Sequence, residues 1–280
     1  MPFEPARYAS FVENLGVHAL TAYLIALPML MLSVASVWWL ARRYAMPQLD
    51  SQSPASAYLL VRLAFGFAVM VAGALLFAEL AEQIAHPDAA RRIGELDTLF
   101  SMSVGNHLHA NARQAFAAIT HLADTATLTG LALVVAALLL AFQHRWLAFA
   151  YVGAVAGNAL LNVTLKNIFE RTRPIHDTTL FQPHGWSFPS GHSSGAVVAY
   201  GMLAYVLLRT WAPAMTLWGG LAVVLAASAV AFTIGCSRVF IQVHYATDVV
   251  AGFASGSVWL AVCILSIELT RHYRQRRPAL

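Results

Sequence analysis

Charged residues are scarce in this chain of 280 residues: Asp, Glu, Lys and Arg together make up 11% of it, against a hydrophobic share of 59%. This shortage excludes an ordinary soluble domain, in which roughly a quarter of the residues are charged. The mean hydropathy of +0.64 indicates a chain whose natural solvent is a lipid bilayer.

Cysteine is equally scarce, since only Cys236 and Cys263 occur. So few cysteines exclude a disulfide framework and a cysteine-based metal site. The net charge is +4, but the basic residues stand in short flanks and one loop rather than in a stripe with interleaved aromatic residues. We therefore expect no nucleic-acid partner. Residues 1–16 lack the basic start and the cleavage site of a signal peptide, so we expect the first apolar segment to be retained.

Apolar residues instead form repeated runs of about 20 residues, the length at which a helix crosses the hydrocarbon core. These runs lack the two-residue alternation of a membrane barrel. We predict an all-α, polytopic transmembrane bundle with about seven spans, near residues 19–40, 58–80, 123–142, 147–165, 193–208, 215–235 and 249–269. Residues 82–120 mix charged and apolar side chains, and we predict a helical segment that lies along the membrane surface between spans two and three.

Seven spans place the surface segment, the loop 166–192 and the segment 237–244 on one side of the membrane. The opposite side carries short arginine-rich flanks: Arg42, Arg43, Arg145, Arg209, Arg271, Arg274, Arg276 and Arg277. Positive charge beside spans marks the cytoplasmic side. We therefore predict a multi-pass protein of the inner (plasma) membrane whose functional loops face the periplasm or the exterior.

Three groups of polar residues fall on the loop side. They are Lys166 with Arg173 and Pro174, then Pro189 to His192, then Ser237 and Arg238 with His244 and Asp248. Three cations can surround a tetrahedral oxyanion, and the amides where a loop enters a helix favour an anion as well. His244 and Asp248, four residues apart, share a helical face on which a carboxylate can orient the imidazole.

The three groups read K-x6-RP, PSGH and SR-x5-H-x3-D in this order, and in this the chain resembles the type 2 phosphatidic acid phosphatase superfamily. It is similar in particular to bacterial phosphatidylglycerophosphatases and undecaprenyl diphosphatases. The resemblance covers roughly residues 97–268, and no motif position departs from the family pattern.

The resemblance implies an integral membrane hydrolase that removes phosphate from a lipid phosphate monoester or diphosphate. It implies that His244 is the nucleophile, that Asp248 orients it and that His192 protonates the leaving group. The positions that match the family's phosphate-binding residues are Lys166, Arg173, Ser190, Gly191 and Arg238. No cofactor and no metal are implied, and the loops offer no compact group of metal ligands.

This resemblance also suggests how the chain is divided. Residues 1–96 are predicted to hold the first spans and the start of the surface segment, residues 97–269 the phosphatase core, and residues 270–280 a basic cytoplasmic tail. The expected partners are a lipid phosphate substrate and the bilayer. Phosphatidate, phosphatidylglycerol phosphate and undecaprenyl diphosphate all fit as substrates.

Other functions share parts of this pattern. A lipid phosphotransferase would pass the phosphoryl group from the same phosphohistidine to another acceptor. Vanadium-dependent haloperoxidases share the motif residues but are soluble, which this chain is not. An anion transporter could use the same cations as a gate.

Two further sets of polar residues are not assigned to the site. His121 and Asp124 are interpreted as helix-end capping and interface polarity. His176, Asp177 and His184 are interpreted as ordinary polar residues of a loop. Glycines four residues apart within the spans are interpreted as sites of close helix packing.

Overall fold

The computed structural model describes residues 5–40, 55–174, 185–211 and 216–276. Over these residues the chain is built from helices, with no strand among them. The α-helices are α1 (Pro5–Val17), α2 (Ala19–Leu40), α3 (Ala55–Ala85), α4 (Pro87–His107), α5 (Ala110–Thr120), α6 (Thr125–Ala141), α7 (Arg145–Phe169), α8 (Gly191–Thr210), α9 (Leu217–Phe240) and α10 (Ala246–Arg276). The all-α prediction is confirmed.

Six helices in the described part of the chain are long and apolar enough to cross a membrane: α2, residues Leu63–Ala85 of α3, α7, α8, α9 and α10 up to Arg274. A seventh span arises if Ala110–Ala123 and Thr125–Ala141, bent by 46° at Asp124, are taken together. The prediction of about seven spans is confirmed. The third predicted span, 123–142, corresponds to α6, and the bend at Asp124 lies at its beginning.

The segment predicted to lie along the surface contains two helices, α4 and α5. The additional helix α1 packs against α4, a contact that the sequence does not indicate. The hydroxyl of Ser103 in α4 donates a hydrogen bond to the carbonyl of Glu13 at 2.8 Å. Polar contacts therefore join α1 and α4 beside the apolar bundle.

The interior of the bundle is formed mainly by α8, α9 and α10, which pack against one another, and α8 and α10 also pack against α7. Ala196, Val198, Met202, Ile234 and Ala251 are fully enclosed, each with 0% exposure. By contrast, α2 and α3 leave most of their apolar surface uncovered, as expected of helices that face lipid. The three motifs thus stand at the ends of the best-packed helices, where their positions are rigidly defined.

Close packing of α8 and α10 depends on Gly252. A Cβ atom there would lie 2.6 Å from the carbonyl oxygen of Ser190 and 2.8 Å from Cβ of Ser193. We expect Gly252→Ala to destabilise the protein by about 1–3 kcal/mol, because an overpacked core must shift. Gly153→Ala is the matched control, since no atom lies within 4 Å of its added Cβ. Thermal unfolding in detergent should show a loss only for Gly252→Ala, and equal unfolding temperatures would contradict the packing argument.

Candidate active site

All eight residues predicted for the site lie at one end of the bundle. Lys166 stands in the last turn of α7, Arg173 follows that helix, and Arg238 lies in the last turn of α9. Ser190 is the N-cap of α8, and Gly191 and His192 are its first two residues. His244 lies between α9 and α10, and Asp248 is in the first turn of α10. The helices converge here, and this brings together residues that are up to 82 positions apart in the chain.

His244 is almost completely enclosed, with 2% exposure. Its Nδ1 lies 3.3 Å from Oδ2 of Asp248, and its Nε2 lies 3.0 Å from a terminal nitrogen of Arg173. A guanidinium group can only donate hydrogen bonds, so Nε2 must be the acceptor. The proton of the neutral ring therefore sits on Nδ1, facing Asp248, and the lone pair of Nε2 faces Arg173.

The charge state of His244 suits this arrangement. Burial lowers the pKa of His244 to about 3, and the positive charges of Arg173 and Arg238 act in the same direction while Asp248 opposes them. The imidazole is consequently neutral at pH 7. A neutral ring with its lone pair directed at a cationic group is a nucleophile placed where an anion would bind.

Asp248 is held by residues that the motif pattern does not mark. Arg171 donates to Oδ1 of Asp248 at 2.7 Å and to Oδ2 of Asp97 at 2.8 Å. The Ser187 hydroxyl donates to the other carboxylate oxygen of Asp248. Burial disfavours the charge of Arg171, but the two carboxylates outweigh it and raise the pKa of this guanidinium. The carboxylate that faces His244 is thus fixed on both oxygens.

The ring of Tyr245 covers Arg171, whose guanidinium carbon lies 4.5 Å from the ring centroid. Thr247 accepts from Arg171 at 2.7 Å and donates to Asp97. Through Asp97, the surface helix α4 is connected to the first turn of α10. The orientation of Asp248 therefore depends on three separate segments of the chain.

The PSGH segment is fixed by backbone contacts. The amide of Ser190 donates to the carbonyl of Asp248 at 2.9 Å, and the amide of Ser187 donates to the carbonyl of Arg171 at 2.8 Å. The Ser190 hydroxyl accepts from the hydroxyl of Ser193 at 2.9 Å, which leaves its own proton available. Gly191 is required by space, because a Cβ atom there would lie 2.8 Å from Oδ1 of Asn162.

Three cations surround the end of α8. Arg173 donates through Nε to the carbonyl of Gly185 at 3.0 Å, and burial lowers its pKa although Asp248 partly offsets this. Lys166 donates to the carbonyl of Trp186. Arg238 donates to the hydroxyl of Thr120 at 2.7 Å, while its buried Nε finds no partner among the described residues. A buried donor without a partner is costly, and an oxyanion would satisfy it.

His192 has a carboxylate partner that the sequence does not reveal. Its Nε2 lies 2.9 Å from Oδ1 of Asp124, and Oδ2 of the same carboxylate lies 2.6 Å from Nδ1 of His121. Asp124 occupies the N-cap position of α6, but its side chain makes no capping hydrogen bond. The interpretation of Asp124 as a capping residue is therefore wrong, because the carboxylate is engaged by two imidazoles.

Other residues of the site are not among the fixed positions of the three motifs, and the sequence gives little sign of them. Arg171 falls at one of the unspecified positions within K-x6-RP, Ser187 lies two residues before PSGH, and Asp97 lies far upstream. The spacing of His121 and Asp124 shows that the two can meet, but not that His192 joins them. His176, Asp177 and His184 lie outside the described residues.

A cleft of about 720 Å³ opens beside this network, between α4 and the segment that follows α7. Its lining includes Arg91, Glu95, Phe169, Arg171 and Tyr245. Among the described residues, no group of three or more His, Cys, Asp or Glu side chains is arranged to hold a metal ion.

Comparison with known proteins agrees with this geometry. Residues 147–271 match the model of the PAP2 superfamily. The phosphatidylglycerophosphatase B of Bacillus subtilis (strain 168) is 30% identical over 158 residues, which cover 56% of this chain and 76% of that protein. The chain belongs to the PAP2 superfamily. The resemblance inferred from the three motifs is confirmed.

A solved PAP2 structure shows the same fold. It is the crystal structure of a transmembrane PAP2-type phosphatidylglycerolphosphate phosphatase from Bacillus subtilis, with a TM-score of 0.63 and 25% identity. The match covers 75% of this chain and 98% of that one. The protein is accordingly an integral membrane lipid phosphatase of the PAP2 superfamily. The division at residues 97 and 269 stays a prediction.

Proposed function

We propose that this PAP2 protein hydrolyses a lipid phosphate monoester or diphosphate through a phosphohistidine at His244. The observation that carries the proposal is the orientation of this imidazole. Nδ1 faces the buried carboxylate of Asp248, and the lone pair of Nε2 faces Arg173. A phosphate that binds Arg173 is thereby brought next to Nε2.

In the first step, Nε2 of His244 attacks phosphorus from the side opposite the leaving oxygen. The bond between phosphorus and that oxygen breaks, and protonated His192 donates a proton to it. The phosphorylated ring is cationic and keeps its proton on Nδ1, where Asp248 stabilises the new charge. The products of this step are the phosphoenzyme and the free alcohol or, if the terminal phosphorus of a diphosphate is attacked, the lipid phosphomonoester.

In the second step, water attacks the phosphorus of the phosphohistidine. His192, now neutral, takes a proton from this water while the bond between phosphorus and nitrogen breaks. Inorganic phosphate leaves, His244 returns to its neutral form and His192 is protonated again. The two steps are balanced in protons, so that no other acid or base is required.

Negative charge on the transferring phosphoryl group is stabilised by Lys166, Arg173 and Arg238, with Ser190 and the amide of Gly191 at the N-terminus of α8. The unpartnered Nε of Arg238 supports this role, because a phosphate oxygen would satisfy it. These cations perform the electrostatic task that a divalent metal performs in other phosphatases, and we therefore propose a metal-independent reaction.

The substrate carries its phosphate at the membrane surface. The Bacillus subtilis relative and the solved structure are both named for phosphatidylglycerol phosphate, which favours this lipid for the present chain. Phosphatidate and undecaprenyl diphosphate also present a terminal phosphate to such a site.

The direct test is phosphate release by purified protein in detergent with EDTA, against each of the three lipids. We expect release in EDTA that equals release with added Mg²⁺, and highest activity on phosphatidylglycerol phosphate. Activity that disappears in EDTA and returns with Mg²⁺ would contradict the metal-independent reaction. Phosphoryl transfer to a lipid acceptor without release to water would favour a phosphotransferase.

Orientation in the membrane follows from charge, and the catalytic end is proposed to face the periplasm or the exterior of the inner membrane. Arg209 in α8 and Arg271 and Arg274 in α10 lie at the other end of helices that begin at the site. Labelling of intact cells with a membrane-impermeant thiol reagent tests this, in a background without Cys236 and Cys263. Glu95→Cys should be labelled and Arg274→Cys should not, and the reverse pattern would contradict the orientation.

We expect Arg173→Lys to lower kcat/KM by about 10- to 100-fold. A lysine cannot replace the guanidinium group, which contacts His244 and the carbonyl groups of Gly185 and Val243. The free energy involved is that of one or two charge-assisted hydrogen bonds. Arg209→Lys, at the far end of α8, is the matched control and should keep normal activity. Equal activity of both variants would show that the guanidinium geometry of Arg173 is unimportant.

A further inference from the structure

The carboxylate of Asp124 connects the interior of the site with its surface. His192, with a side chain that is 23% exposed, contacts Oδ1 of Asp124, and His121, with a side chain that is 55% exposed, contacts Oδ2. Asp124 itself is 40% exposed. One carboxylate therefore bridges a partly buried imidazole of the PSGH motif and an imidazole that reaches solvent.

The segment that carries Asp124 is fixed against the site at several points. Thr120 accepts from Arg238 at 2.7 Å, and the carbonyl of Leu122 accepts from the hydroxyl of Tyr200 at 2.8 Å. Tyr200 belongs to α8, the helix that begins with the PSGH motif. The turn between α5 and α6 is thus held against α8 and α9, and Asp124 has a defined position relative to His192.

Hydrogen bonding to Asp124 selects the tautomer of His192. An ionised carboxylate can only accept, so Nε2 of His192 carries a proton. Nδ1 makes no hydrogen bond with the described residues, whereas Nε2 is occupied by Asp124. Nδ1 is consequently the ring nitrogen left for substrate.

The charges around His192 make Asp124 important for its function as an acid. Arg238 from α9 and Arg173 from the segment after α7 act electrostatically on His192, and both are cations. Burial of the ring is the strongest influence against its positive charge, and the two guanidinium groups act in the same direction. Asp124, held also by His121, is the only anion that acts on His192 among the described residues. Asp124 opposes these influences, so its removal would make the protonated ring, which must give a proton to the leaving alkoxide, still less favourable.

We propose that Asp124 is a positioning residue for His192, and that His121 fixes the second oxygen of its carboxylate. In this proposal the proton always stays on Nε2 of His192, facing Asp124. Nδ1 donates its proton to the leaving oxygen in the first step and receives one from water in the second. The inference rests on the proposed phosphohistidine reaction and assigns residues outside the three motifs to it.

The pH dependence of kcat tests this role, because a merely structural residue would not shift it. In Asp124→Asn the amide lacks the charge that stabilises protonated His192. We expect the alkaline limb of kcat to move to lower pH by about one unit or more, with kcat at pH 8 reduced about 10- to 100-fold and KM nearly unchanged. Asp124→Glu keeps the charge and should restore much of kcat.

Two further variants complete the test. His121→Gln can still donate to Asp124, so we expect only a several-fold loss of kcat and an alkaline limb near that of wild type. Asp88→Asn, in the exposed first turn of α4, is the matched control for removal of a carboxylate and should behave as wild type.

A wild-type pH profile in Asp124→Asn would overturn the inference, and so would a kcat that falls equally at every pH. Should Asp124→Asn fail to fold, Asp124→Glu decides: a loss of kcat of about 10- to 100-fold in Asp124→Glu, with an unmoved alkaline limb, would also overturn the inference. Failure of the proposed reaction is distinguishable, because wild type itself would then release no phosphate and form no phosphohistidine.

Discussion

Replacement of His244 by alanine is expected to lower phosphate release by at least about 10⁴-fold, because no other group can form the covalent intermediate. His244 is the acceptor of a hydrogen bond from Arg173 at 3.0 Å, and its ring is oriented by Asp248. Steady-state phosphate release by the purified variant, at saturating lipid substrate, measures the loss.

The interpretation of that loss requires a folded variant, since His244 is buried. His244→Gln retains a polar side chain of similar reach and should unfold near the wild-type temperature while remaining inactive. His86→Ala, which removes an imidazole whose side chain is 70% exposed, is the matched control and should be fully active. Substantial turnover in either His244 variant would rule out a phosphohistidine at this position.

Replacement of His192 by alanine is expected to have the second-largest effect, and the effect should depend on the leaving group. An alkyl phosphate needs a proton at its leaving oxygen, so we expect a loss of about 10²- to 10⁴-fold with a lipid substrate. Nitrophenolate, the leaving group of nitrophenyl phosphate, is a stable anion and departs without a proton donor. With this substrate the variant should rapidly release about one nitrophenolate per enzyme and then turn over slowly.

The burst is expected because His192 also activates water in the second step. In the variant this step is slow and the phosphoenzyme accumulates, whereas wild type should turn over without a burst. Stopped-flow absorbance of nitrophenolate distinguishes the two cases. An equal loss on alkyl and aryl phosphates, without a burst, would mean that His192 binds phosphate rather than transferring protons.

The helical architecture could be predicted from the sequence because membrane helices satisfy their backbone groups within one segment. Length and apolarity are local properties, and they identify the spans. The sequence does not indicate that residues 110–123 could extend the third span across a bend at Asp124. Nor does the sequence indicate that α1 packs on α4, because this contact joins residues as far apart as Glu13 and Ser103.

The central contact of the site could be anticipated in part. His244 and Asp248 are four residues apart, and this spacing alone predicts that they meet. The contact of Asp124 with His192 joins residues 68 positions apart, and that of Arg171 with Asp97 joins residues 74 positions apart. Contacts over such distances depend on helix packing, and spacing along the chain contains no information about them.

Detection of the covalent intermediate tests the central claim most directly. The His192→Ala variant, in which the phosphoenzyme should accumulate, is incubated with nitrophenyl phosphate labelled in its phosphate, quenched in alkali and analysed by peptide mass spectrometry. We predict one phosphoryl group on His244, stable in alkali and lost in acid, and none in the His192→Ala, His244→Ala double variant. A label on another residue, or a label that persists in the double variant, would contradict the account.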